Sequence, residues 1–155
     1  MTIKMLVLAV WAAFHPAAPH MKDADTIASA IETAVSTDPE APVFGSREED
    51  AAVMAYYAVR ESWLQAHAVG DGGRSFGAWQ QRAAAGRADV TTQAKAWLAL
   101  LHEGARVCPA NAAAPLSGGC MVARTLADKR VARARKLLDQ ARRALEEPEL
   151  AATGS

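Results

Sequence analysis

Two acidic residues near the middle of the chain, Glu61 and Asp71, are the strongest candidates for catalytic chemistry. Glu61 lies in a helical pattern that puts it on the same face as Tyr57 and Leu64, at about 100° per residue. A carboxyl on an apolar face loses hydration, so we expect its pKa to rise. Such a carboxyl can act as a general acid near neutral pH. The alternative is a core glutamate paired with an arginine of another helix.

Asp71 lies in a glycine-rich stretch that follows the helical pattern. The stretch is long enough to turn back towards the end of the helix and bring Asp71 close to Glu61. Two carboxyl groups that face one cleft are the arrangement that cleaves glycosidic bonds. The glycines of this stretch permit tight turns, and they let the backbone approach a ligand closely. They are Gly70, Gly72, Gly73 and Gly77.

The residues after Asp71 include side chains that suit a sugar ligand. Gln80 can both donate and accept hydrogen bonds, as a partner of a sugar hydroxyl must. Phe76 and Trp79 offer aromatic rings that can wall a sugar site. Packing in the core is the alternative for each of these rings.

Taken together, these residues resemble the catalytic segment of a known family. The segment begins with Glu61-Ser62, continues through the glycine-rich turn at residues 70–73 and ends with Gly77-Ala78-Trp79-Gln80. It is similar to that of goose-type lysozymes and soluble lytic transglycosylases. The resemblance implies a lysozyme-like α-helical fold. It also implies cleavage of the β-1,4 bond between N-acetylmuramic acid and N-acetylglucosamine in peptidoglycan.

The same resemblance implies roles for individual residues. Glu61 matches the general acid, and Asp71 matches the acid of the Gly-Asp-x-Gly turn in goose-type members. Gln80 matches the glutamine of a Gly-x-x-Gln pattern that lines the glycan groove. Ser62 has a local hydrogen bond as its alternative role. The expected substrate-binding residues are Ser62, Ser75, Gly77, Trp79 and Gln80.

The sequence departs from the family pattern at three places, one of which is the absence of an acid just after Gln80, where Gln81 and Arg82 stand. Trp79 stands where transglycosylases carry a methionine before the glutamine, and no tyrosine follows Ala83. Hydrolysis and anhydro-sugar formation therefore both stay open as outcomes.

The elements that would position these residues are predicted to be helices. The chain has 155 residues, of which 51% are hydrophobic, and many of these are alanine, which favours helix. Strand signals are weak apart from a small hairpin around Asp71-Gly72. We predict an all-α, lysozyme-like domain, α+β at most by that hairpin. Helices are expected over 26–35, 46–65, from after Gly86 to near Gly104, and over 121–145 up to Pro148.

Residues 1–20 differ from the rest of the chain. Lys4 precedes a short apolar run, residues 5–14, and Pro16 and Pro19 follow it. This order is typical of a signal peptide, and it predicts a protein exported to the periplasm, the cell wall or the medium. A bacterial and a phage source both stay open. An apolar N-terminal helix that packs on the domain is one alternative, and a start at Met21 is another. The catalytic domain is expected over 21–148 and a loose C-terminal tail over 149–155.

Cys108 and Cys120 flank a loop rich in proline, alanine and glycine. A disulfide here would stabilise the fold by about 3 kcal/mol in the loop-entropy model. Two free buried thiols are the alternative. Two cysteines are too few for a zinc site, and the loop contains no histidine.

The charge balance of the chain argues against nucleic acid as a partner. Lys+Arg and Asp+Glu are both 17, so no global basic field points to nucleic acid.

We expect no cofactor, no metal and no stable membrane insertion. The expected partners are peptidoglycan glycan strands, bound by a monomer. The alternatives are a non-catalytic lysozyme-like domain that binds glycan or builds an assembly, and a helical interaction domain.

Arg130 is predicted to lie on the apolar side of the last helix. A buried arginine needs an acidic partner. We expect that partner to be Glu49 or Asp50. Pairing with Glu61 would hold that carboxyl ionised and prevent it from acting as an acid.

Overall fold

In a computed structural model of the chain, residues 1–82, 84–117, 119–120 and 124–153 are described. The helices are α1 (Ile3–Phe14), α2 (Ala24–Thr37), α3 (Arg47–Ser62), α4 (Val90–Val107) and α5 (Arg124–Thr153). After α3 the strands β1 (Val69–Gly70) and β2 (Ser75–Phe76) form an antiparallel hairpin. The predicted helical fold with a small hairpin is confirmed.

Helix α1 is part of the core. It contacts α2, α3 and α5, and its buried residues are Leu6, Val7, Val10 and Trp11. The indole Nε1 of Trp11 donates a hydrogen bond to the carbonyl of Ala55 in α3 at 2.9 Å. The apolar run within residues 1–20 therefore forms a helix that packs on the domain, which is the first alternative to a signal peptide given above.

Helix α3 begins as the sequence predicts and ends earlier. Ser46 caps its start, because its side chain accepts a hydrogen bond from the Glu49 amide. The predicted end at Gln65 is wrong, because Trp63 and Leu64 adopt left-handed backbone conformations with φ of 52° and 58°. This turn buries Leu64 in the core and sends the chain towards the hairpin.

Helix α4 continues past Gly104, where the sequence predicts its end. A Cβ atom at position 104 would overlap the carbonyl oxygen of Ala112, so the glycine lets the following loop pack against the helix. The loop is closed by the predicted Cys108–Cys120 disulfide, which is confirmed, with a Cα–Cα distance of 5.5 Å.

Helix α5 starts at Arg124 and extends to Thr153, so the prediction that Pro148 ends it is wrong. The residues after Pro148 include Glu149, Leu150 and Ala151, which are good helix formers and favour continuation. The predicted start at 121 and the final residues 154–155 lie outside the described part of the chain. Across the described ranges, no helix is both long enough and apolar enough to cross a membrane.

Candidate active site

A cleft of about 980 Å³ brings the two predicted catalytic acids together. Glu61, at the end of α3, and Asp71, in the hairpin turn, both line it. The opposite walls come from α4, the disulfide-closed loop and α5, through Leu100, Leu116 and Arg130. Predicted substrate-binding residues that also line this larger cleft are Ser75, Trp79 and Gln80.

A second, smaller cleft of about 460 Å³ adjoins the larger one. The two clefts share Glu61, Gly70 and Gln80 as lining residues. Glu61 therefore lies at the boundary between two adjoining clefts. An extended ligand can occupy space on both sides of its carboxyl group.

Glu61 forms an ion pair with Arg130 of α5. The distance from Arg130 Nη1 to Glu61 Oε1 is 2.8 Å, and the two side chains are 20% and 31% exposed. The expectation that Arg130 pairs with Glu49 or Asp50 is therefore wrong. Arg135, further along α5, is the arginine that contacts Glu49, at 3.2 Å.

Asp50 has backbone partners in place of an arginine. Its carboxylate accepts hydrogen bonds from the amides of Val43 and Phe44 at 3.0 and 2.8 Å. The side chain is fully buried, and this burial raises its pKa. Asp50 thus anchors the segment before α3, where no guanidinium is required.

The contact with Arg130 changes what Glu61 can do in this conformation. The Arg130 guanidinium donates a charge-assisted hydrogen bond to Oε1 of Glu61, so this oxygen is already engaged within the protein. This ion pair is the alternative considered for Glu61 from the sequence, in which the glutamate pairs with an arginine of another helix. For Glu61 to act as a general acid, its contact with Arg130 must first break.

Asp71 is held as a carboxylate at the tip of the hairpin. Ser75 Oγ donates a hydrogen bond to its Oδ2 at 2.6 Å, and Arg82 Nη2 lies 3.6 Å from the same oxygen. The Ser75 hydrogen bond, with help from the Arg82 charge, holds the pKa of Asp71 below its usual value. An ionised Asp71 suits a base or a group that stabilises positive charge.

Gln80 reaches across the hairpin towards both clefts. Its Nε2 donates hydrogen bonds to the carbonyls of Gly77 at 3.0 Å and Ala68 at 3.4 Å. A Cβ atom on residue 70 would overlap Gln80 Oε1, so Gly70 makes room for this side chain. The backbone of Gln80 is left-handed, with φ of 49°. The side-chain amide of Gln80 is therefore held in one position where the two clefts meet.

Three predicted substrate-binding residues have their polar groups or backbone engaged inside the protein. Trp79 is buried, and its Nε1 donates to the Met54 carbonyl at 2.9 Å. Ser62 donates to the Ala58 carbonyl, which is the local hydrogen bond weighed as its alternative. Gly77 has φ of 80° and lines neither cleft. Trp79 lines the larger cleft and Ser62 the smaller one, but their donor groups are already used within the protein.

Gln93 of α4 lines neither cleft, but it holds the turn before Gln80 in place, and sequence reasoning missed it. Its side chain is 0% exposed and bonds to three separate segments of the chain. The Oε1 atom accepts from the Ala78 amide at 2.9 Å, and Nε2 donates to the carbonyls of Ala66 and Ala88. A signal existed, because Gln93 is a polar residue on the same helical face as Trp97 and Leu101.

An aromatic cluster beside the smaller cleft was also missed. Trp63 is 37% exposed, and its ring lies 6.2 Å from that of Phe14 and 5.6 Å from that of His15. Phe14 and His15 belong to the segment interpreted as a signal peptide, so no sequence pattern linked them to the cleft. A partly exposed indole that lines a cleft suits contact with the apolar side of a sugar ring.

The histidines and other potential metal ligands do not form a metal centre in the described part of the chain. No group of three or more histidine, cysteine, aspartate or glutamate side chains there is arranged to hold a metal ion. His102 instead contacts Asp38 at 2.7 Å, away from the larger cleft. Comparison of the chain with protein-family models, with curated proteins and with solved structures found no match.

Proposed function

We propose that this protein is a muramidase that cleaves the glycan strands of peptidoglycan. The observation that carries the proposal is the position of Glu61 at the boundary of two adjoining clefts, with Asp71 in the larger one. Cleavage inside a polymer requires an acid beside the glycosidic oxygen while sugars are bound on both sides of it. A carboxyl group at this junction meets that requirement.

In this proposal Glu61, once protonated, donates its proton to the oxygen of the leaving sugar. The ionised Asp71 then activates a water molecule or stabilises the oxocarbenium-like transition state. If the 6-hydroxyl of the muramic sugar attacks instead, the product is an anhydro sugar and Asp71 is dispensable. Gln80 and the partly exposed Trp63 are the proposed contacts to sugars beside the cleaved bond.

A second candidate is a non-catalytic lysozyme-like domain that binds glycan. The observation that favours it is the Glu61–Arg130 ion pair, in which the guanidinium occupies the Glu61 carboxyl group. In that case the two clefts bind the polymer, and Glu61 links α3 to α5 as a structural residue.

The two candidates are separated by digestion of purified peptidoglycan, followed by mass spectrometry of the soluble products. We expect the wild-type protein to release muropeptides and Glu61→Gln to release none, because glutamine cannot donate the proton. Glu49→Gln is the matched control, since Glu49 is also an α3 glutamate that contacts an α5 arginine, and it lines neither cleft. It should retain activity.

Binding to insoluble peptidoglycan without release of products would favour the second candidate. Retention of most activity in Glu61→Gln would contradict the muramidase assignment. Absence of both binding and cleavage would reject both candidates.

We also propose that the protein acts outside the cytoplasm, in the periplasm, in the cell wall or after secretion. The Cys108–Cys120 disulfide supports this location, because such cross-links persist in oxidising compartments. Peptidoglycan is found in the same compartments.

A further inference from the structure

Each carboxylate in the larger cleft is accompanied by an arginine. Glu61 contacts Arg130 at 2.8 Å, and Asp71 lies 3.6 Å from Arg82. All of these side chains line the cleft. Arg82 is 76% exposed, so water screens its contact with Asp71. Arg130 is 20% exposed, and its contact with Glu61 is the tighter of the two.

Arg130 has hydrogen-bond donors that its contact with Glu61 does not use. Its guanidinium lies 5.0 Å from the centre of the Tyr57 ring, which supports the cation from one side. A guanidinium has five N–H donors. Within the described ranges, Arg130 uses Nη1 alone for a hydrogen bond, and the acceptor is Glu61. Other donors of the same group are thus able to receive a second carboxylate in the cleft.

We propose that Arg130 is a latch on Glu61 that is released by a carboxylate of the glycan substrate. This inference rests on the proposed function. The substrate carboxylate binds the guanidinium and takes the place of Glu61. Glu61 then no longer contacts Arg130, and its carboxyl group is able to face the glycosidic oxygen in the cleft.

The exchange predicts that a neutral glycan is a poor substrate. A half-buried guanidinium that loses its carboxylate partner without replacement is destabilised. A neutral sugar offers no replacement, so Glu61 stays paired with Arg130. A glycan with carboxylate groups keeps Arg130 compensated while Glu61 is released. The cleft therefore selects carboxylate-bearing glycans over neutral ones of the same length.

The latch is tested first by binding. The probes are a neutral oligomer of N-acetylglucosamine and an oligomer of equal length that contains N-acetylmuramic acid with its carboxylate free. In Glu61→Gln the guanidinium has no carboxylate to give up, so the acidic oligomer should bind about fivefold more tightly than to wild type. The affinity for the neutral oligomer should not change. Glu49→Gln should leave both affinities unchanged.

The second test is cleavage by Arg130→Gln, with Arg130→Lys as the variant that keeps the charge. Arg130→Gln should cleave the neutral oligomer faster than wild type, because Glu61 is no longer paired. It should show a KM for the acidic oligomer raised by about fivefold, and Arg130→Lys should restore part of that loss. Thermal unfolding establishes that each variant is folded.

The outcomes distinguish the latch from the muramidase proposal. Equal effects of Glu61→Gln on both affinities, or equal loss of both cleavage activities in folded Arg130→Gln and Arg130→Lys, would overturn the latch while leaving wild-type cleavage intact. If wild type cleaves neither oligomer nor peptidoglycan, the muramidase proposal fails and the latch fails with it. A binding preference for the acidic oligomer in Glu61→Gln would then still identify Arg130 as a carboxylate site.

Discussion

Replacing Gln93 by methionine should destabilise the fold and loosen the turn that lines the larger cleft. The side chain is buried and holds three segments through the Ala78 amide and the carbonyls of Ala66 and Ala88, at 2.9, 3.0 and 2.9 Å. Methionine has a similar volume and cannot form these hydrogen bonds. The substitution therefore isolates hydrogen bonding from packing.

The expected magnitude follows from which of the three partners can reach water. Ala78 and Ala66 are buried, so the loss of Gln93 leaves an amide and a carbonyl there without a protein partner. Ala88 is only partly buried, and its carbonyl can turn to solvent. At about 1–2 kcal/mol for each buried group, Gln93→Met should lower the free energy of unfolding by about 2–4 kcal/mol. Domains of this kind have about 5–15 kcal/mol in total.

Urea unfolding followed by tryptophan fluorescence measures this change, because Trp79 and Trp97 lie in the core near the substitution. Lys95→Met is the control, since Lys95 is an exposed residue of the same helix. Gln93→Met should also lose peptidoglycan cleavage at temperatures where it is still folded, because Ala78 lies in the turn that positions Gln80. A loss of stability under about 1 kcal/mol, equal to that of Lys95→Met, would refute this account of the turn.

Asp71→Asn should reduce cleavage about a hundredfold or more if water attack is base-assisted, and little if anhydro ends are formed, which mass spectrometry of the products decides. Because the pKa of Asp71 is lowered from 3.8, its contribution to activity should persist as the pH falls to that value and disappear below it in a pH profile. Replacing Cys108 and Cys120 by serine should lower the melting temperature, with a loss of about 3 kcal/mol, and peptide mapping without reductant should find them linked in the wild type. Burial raises the pKa of Asp50, so its stabilising contribution is greatest below pH 3.8 and declines as the pH rises through the raised pKa. The stability advantage of wild type over Asp50→Asn should therefore shrink with rising pH in urea titrations.

The local elements of this protein could be predicted because they depend on residues that are close together in the chain. The cap at Ser46, the turn around Asp71-Gly72 and the short loop between Cys108 and Cys120 each depend on short stretches of sequence. Alanine-rich stretches with helical spacing predicted the helical class for the same reason. The hairpin and the disulfide were confirmed where the sequence predicted them.

Several helix boundaries could not be predicted, because contacts with other segments decide them. A glycine near the end of a helical pattern usually indicates that the helix ends there. Gly104 instead allows the Ala112 backbone to approach helix α4, which continues to Val107. Helix α3 ends at Ser62 because burial of Leu64 in the core favours a left-handed turn over another helical turn. Propensity is a weak guide wherever a packing contact is available.

Pattern analysis singled out Glu61 and Arg130 as charged residues on apolar helical faces, and it expected Arg130 to pair with Glu49 or Asp50 instead of Glu61. Glu61 and Arg130 are 69 positions apart in the chain, and the packing of α5 against α3 brings them into contact. The same packing pairs Arg135 with Glu49 and leaves Asp50 to backbone amides. Helical periodicity defines the face on which a charge lies. The register between two helices depends on the whole core, and it determines which opposite charge that residue meets.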